Sequence, residues 1–145
     1  MAQNSALPDR AVARFQPNVA PVRASVVLVQ RDPAWRREVR RALTRAGFAV
    51  VEATSALEGL VHASSTRAPV VATNYPMLLP GGSQLARVLT SCPELAGAAV
   101  IAVVSDARPE SIAAAREDGC RVIVVRPAPA AAMVEAVELA LVARR

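Results

Sequence analysis

Four short apolar runs, each stopped abruptly by a polar residue, constrain this chain more than any other feature. Val26-Val27-Leu28-Val29 runs into Gln30-Arg31-Asp32 before Pro33. Val70-Val71-Ala72-Thr73 stops at Asn74, Val100 to Val104 at Ser105, and Val122 to Val125 at Arg126. Runs that are apolar at consecutive positions suit strands buried on both faces of a parallel sheet. If they lie parallel in one sheet, all four polar stops share a single edge.

Helical patterns separate the runs. Asp32 reads as an N-cap and Pro33 as the first helical residue. Trp35, Val39, Ala42, Leu43 and Ala46 then recur at helical spacing, and Gly47 ends the segment. Phe48 to Glu52 reads as a second strand. Ser55 and Glu58 form a capping box for a helix reaching about Ser64. Pro76, Pro80, Gly81 and Gly82 mark an irregular loop, and a short helix through Leu85, Val88 and Leu89 is closed by Pro93. Pro109 opens a helix through Ile112 and Ala115 to Gly119, and a last helix runs from about Pro129. Five strands alternating with five helices predict an α/β fold, a doubly wound parallel sheet with right-handed crossovers. Ligands bind such sheets beyond the carboxyl ends of the strands, where the polar stops fall.

Composition narrows the function. The chain has 145 residues, 53% of them hydrophobic and only 3% aromatic, so one core of Val, Leu, Ile and Ala is expected. All 17 basic residues are arginine, and the net charge is +5. That charge is local: it lies in residues 1–24, expected to be a disordered basic arm, and in residues 31–45, within the domain expected over residues 25–145. No apolar block is long enough for a membrane span or a secretory signal, so a cytoplasmic protein is expected. Cys92 and Cys120 stand apart with no second ligand nearby, as buried fillers do, and His62 has no partner at ligand spacing. No metal, cofactor or catalytic residue is predicted, and the chain is not read as an enzyme. The loop over residues 76–82 lacks the Gly-x-Gly pattern of a phosphate cradle.

These residues, in this order, resemble the receiver domain of bacterial response regulators, a flavodoxin-like fold, over about residues 25–145. Such receivers place an acidic pair after the first strand, a phosphoacceptor Asp after the third, Thr or Ser after the fourth and Lys-Pro after the fifth. Here Gln30-Arg31 stands for the pair, Asn74 for the phosphoacceptor, Ser105 for the hydroxyl and Arg126-Pro127 for Lys-Pro. Gly82 and Leu85 keep the family spacing, and the aromatic switch position holds Ile123. An amide is no nucleophile, and one acid (Asp32) with two guanidiniums makes no magnesium site. The resemblance thus implies a pseudo-receiver: a stand-alone two-component signalling domain that works by protein contact, independently of phosphorylation. It also implies a cis peptide at Arg126-Pro127.

Two surfaces are candidates for that contact. Arg36, Arg37, Arg40, Arg41 and Arg45 cover the outer face of the first helix, either as a dock for an acidic signalling protein or as a solvated face. The last helix is apolar over more than one stripe, which predicts a homodimer face at Met133, Val134, Val137 and Leu141, with deep packing through its alanines as the alternative. Arg31 and Arg126 either pair with Asp32 or lie in solvent, or they form a cationic crevice for a small anion or nucleotide. A flavodoxin-like enzyme is the least supported reading. Nucleic acid has no recognition motif or aromatic platform here.

Overall fold

The computed structural model describes residues 22–95 and 97–143. Its strands are β1 (Ser25–Val29), β2 (Ala49–Ala53), β3 (Val70–Asn74), β4 (Ala99–Val104) and β5 (Val122–Val125). Between and after them come α1 (Pro33–Arg45), α2 (Ala56–Thr66), α3 (Leu85–Ser91), α4 (Pro109–Glu117) and α5 (Ala130–Ala143). All five strands are parallel, in the order β2-β1-β3-β4-β5, so the doubly wound flavodoxin-like α/β fold expected from the sequence is the fold observed.

The double-sided burial of the apolar runs is direct. Val26 to Val29 are fully buried, and their side chains alternate between two cores. Val26 and Leu28 meet Trp35, Val39 and Leu43 of α1 and Met133 and Val137 of α5. Val27 and Val29 meet Ala56 of α2 and Leu85 and Leu89 of α3. Burying each such side chain contributes about 1.5–3 kcal/mol, and the one polar side chain buried within a strand, Thr73 of β3, donates its hydroxyl to Asn74 O at 3.0 Å. At Gly59 of α2, an added Cβ would lie 2.6 Å from Val29 Cγ2, so the helix sits closer to β1 than any other residue would allow.

The local signals also hold. Asp32 caps α1 through its side chain, Pro33 opens the helix, and Ser55 caps α2 by accepting from Glu58 N. The Glu58 carboxylate returns to Thr54 N at 2.8 Å, one residue before the cap. The Arg126–Pro127 peptide is cis, as expected, and Tyr75–Pro76 is cis as well.

One expectation lies mostly outside the described residues, and one changes. The basic arm falls largely outside the described residues, but Arg23 is held by the domain: it pairs with Glu138 of α5 at 3.1 Å and stacks 4.4 Å over the Phe48 ring. The dimer face on the last helix is corrected. Met133 and Val137 are fully buried, and Val134 and Leu141 pack on the same core. Met133, Ala136, Val137 and Ala140 repeat at three- and four-residue intervals, which is one ordinary inward stripe. The apolar side chains of α5 that face outward are Leu139 and Val142, 60% and 72% exposed.

Candidate functional site

The sheet reverses its winding between β1 and β3, and the residues that leave those two strands meet there. Gln30 is 1% exposed. Its Oε1 accepts from Asn74 Nδ2 at 3.1 Å and from Asp32 N at 3.0 Å. Asn74 Oδ1 in turn accepts from Arg31 N at 2.9 Å. Both ends of the Asn74 amide are therefore committed, and its orientation follows from its partners. An aspartate at this position would set a second acceptor against Gln30 Oε1, with no proton between them.

Asp32 is equally occupied. One oxygen accepts from Ala34 N and Trp35 N at 3.1 and 3.3 Å, and the other pairs with Arg126 at 3.0 Å. The Trp35 N–H and then the Arg126 guanidinium hold its carboxyl below the ordinary value of 3.8. Arg126 lies 4.3 Å over the Trp35 ring, whose indole N–H donates to Ala128 O at 3.0 Å. Arg31 reaches across to Pro76 O at 3.4 Å. Among the described residues, Gln30 Nε2 and Arg126 Nε are buried without a hydrogen-bond partner.

Of the residues expected at this edge, Gln30, Arg31, Asp32, Asn74 and Arg126 thus form one network. Ser105 and Pro127 are exposed beside it, and Ile123 is half-buried on the edge strand β5. The donor set does not suit magnesium, which demands several charged or neutral oxygens in octahedral array. The one carboxylate is already a cap and an ion pair with the Arg126 guanidinium. Among the described residues, no three His, Cys, Asp or Glu side chains gather in a metal-binding group.

A second polar cluster was not anticipated. The Tyr75 hydroxyl donates to Asp118 Oδ2 at 2.6 Å, Arg87 Nε lies 3.1 Å from Asp118 Oδ1, and Thr90 Oγ1 donates to Asp118 O at 2.7 Å. Burial, and then Asp118, push the Tyr75 phenol well above its usual range. Tyr75 follows Asn74, so this cluster ties the end of β3 to α3 and the end of α4.

The arginine face of α1 divides into two rows. Arg36 and Arg40 both close on Glu52 of β2, at 3.1 and 3.3 Å, and Arg36 also donates to Gln30 O at 2.9 Å. Arg37, Arg41 and Arg45 are exposed, and among the described residues none has a carboxylate within ion-pair distance.

No protein-family model matches the chain, and no curated protein matches it in sequence. Solved structures do. A response regulator from Desulfuromonas acetoxidans superposes with a TM-score of 0.75 at 22% identity, over 82% of this chain and 97% of that one. The signal receiver domain of the response regulator NarL from Mycobacterium tuberculosis gives 0.70 at 26% identity, over 83% and 98%. A two-component response regulator of the LuxR family from Aurantimonas sp. SI85-9A1 gives 0.72 at 27% identity, over 84% and 87%. The chain has the receiver fold. Within this receiver fold the Gln30–Asn74 pair occupies the switch point of the sheet, and no helix among the described residues is long and apolar enough to cross a membrane.

Proposed function

We propose that this chain is a pseudo-receiver in signal transduction, working by protein contact and without a phosphorylation cycle. The observation that carries the reading is the closed network of Gln30, Asn74, Asp32 and Arg126. In the receivers that the chain resembles, those positions supply a carboxylate nucleophile and a metal held by carboxylates. Here the nucleophile position is an amide tied at both ends, and the remaining acid is neutralised by a guanidinium. The neighbours' names speak of signal receivers and response regulators; the same broad role is proposed here, with the chemistry removed.

Trp35, the chain's single tryptophan, lies under Arg126 and reports on this crevice. Magnesium titrated to millimolar levels is expected to leave its emission unchanged. A saturable change that calcium does not reproduce would sink the reading.

A partner is proposed on α1 and a homodimer on the outer face of α5 beside β5, where Leu139 and Val122 to Val125 line a groove of about 290 Å³. Sedimentation at increasing concentration tests the dimer: a monomer throughout removes it. A second reading, binding of a small anion or nucleotide in the crevice, is favoured by the two orphan donors, Gln30 Nε2 and Arg126 Nε. Inorganic phosphate or a cyclic dinucleotide would then quench or shift Trp35 emission saturably, and a flat titration excludes it.

A further inference from the structure

The two arginine rows of α1 behave differently, and the difference points outward. Arg36 and Arg40 show what an arginine with a structural task does on this helix: each takes an oxygen of Glu52. Arg37, Arg41 and Arg45 follow the helix at four-residue intervals, about 6 Å apart along the axis. Among the described residues they have no ion-pair partner. Arg41 and Arg45, with Glu38, also line an open groove of about 380 Å³ between α1 and the start of α5. Its remaining walls are Ala42, Ala130 and Ala131, so a backbone can approach closely.

We infer that this groove, together with Arg37 on the exposed face one turn before Arg41, docks an acidic amphipathic helix of a partner protein, with carboxylates at four-residue spacing toward Arg37, Arg41 and Arg45 and a basic residue toward Glu38. This deepens the protein-contact reading above and rests on it. Charge complementarity selects the occupant. A row of cations set at a helical repeat matches carboxylates on another helix, each pair charge-assisted. Nucleic acid fits less well. Glu38 stands in the groove with the arginines, where a phosphate chain would meet a like charge, and no aromatic side chain lines the groove for a base to stack on.

The test uses the full chain and a designed helical peptide carrying three glutamates at four-residue spacing and one lysine placed for Glu38. A second peptide has the same composition with its acids scattered around the helix. Titrated calorimetrically at low salt, the patterned peptide is expected to bind about tenfold tighter than the scattered one, and to weaken as salt screens the charges. Arg41→Glu/Arg45→Glu is expected to abolish that preference, and a peptide with lysines in place of its glutamates to bind this variant instead. Circular dichroism checks that the variant folds; Arg41→Gln/Arg45→Gln, expected to lose most of the preference, serves if it does not. Equal binding of both peptides, no binding of either, or tighter binding of a duplex DNA of equal charge would each overturn the inference. Those outcomes leave the phosphorylation-independent reading standing, whereas phosphorylation at the crevice would leave the groove standing.

Discussion

The crevice at the carboxyl ends of the strands and the outer row of α1 are both built around arginine, and they use it in opposite ways. In the crevice, Arg126 is pinned between Asp32 and the Trp35 ring, and the Arg31 guanidinium donates to Pro76 O. On the outer row, Arg37, Arg41 and Arg45 are exposed, and among the described residues none has a carboxylate within ion-pair distance. Adjacent like charges at four-residue spacing cost a helix a few tenths of a kcal/mol each. The crevice has turned its charges inward to hold the fold. The outer row keeps charges that the fold does not need, and such charges are best explained by something outside it.

If that contrast is real, substitutions in the crevice should weaken the fold and substitutions on the outer row should not. The largest effect is expected at Trp35. Trp35→Ala removes a buried ring, its bond to Ala128 O and the platform under Arg126, and should cost about 3–5 kcal/mol in a urea melt. A loss below about 1 kcal/mol would mean that the crevice is not a structural unit. Next comes Asn74→Asp, which exchanges the donor facing Gln30 Oε1 for an acceptor. It should cost about 1–3 kcal/mol and still gain no phosphate from acetyl phosphate, because Gln30 and Arg31 remain. Stabilisation by this change would show that the amide pair is not matched as described.

Asp32→Asn should be milder and dependent on pH. Asparagine can still cap α1, so the loss is chiefly the pairing with Arg126. Asp32 titrates below its ordinary value of 3.8, so the stability it adds is complete above that pH and fades as pH falls through the lowered value. Melting curves of wild type and variant should therefore differ at neutral pH and converge in acid; a constant offset would place the effect elsewhere. The smallest change is expected on the outer row. Arg41→Gln should alter stability by no more than about 0.5 kcal/mol, and in the favourable direction, since it relieves like-charge repulsion with Arg37 and Arg45. A clear destabilisation would give that row a structural role.

Much of this was legible in the sequence, for a physical reason. Strands buried on both faces are nearly continuous apolar runs, so their polar ends stand out, and Gln30, Arg31, Asp32, Asn74 and Arg126 are visible in the sequence. Local capping was equally visible at Asp32-Pro33 and Ser55. What could not be seen depends on distance along the chain. Arg126 meets Trp35 across 91 positions, and Glu52 meets Arg36 and Arg40 from a neighbouring strand; no periodicity encodes either contact. Tyr75, next to Asn74, gave no sign of reaching Asp118. The last helix misled because its outer face mixes Leu139 and Val142 with glutamates and alanines. Its inner stripe of Met133 and Val137 is no more apolar in sequence than that outer face, so sequence alone does not tell the two apart.

The central claim, that the crevice has lost phosphoryl chemistry, is tested most directly by intact-protein mass after incubation with acetyl phosphate and magnesium. The account predicts an unchanged mass at every time point. A species heavier by one phosphoryl group, accumulating with time and absent without magnesium, would contradict it.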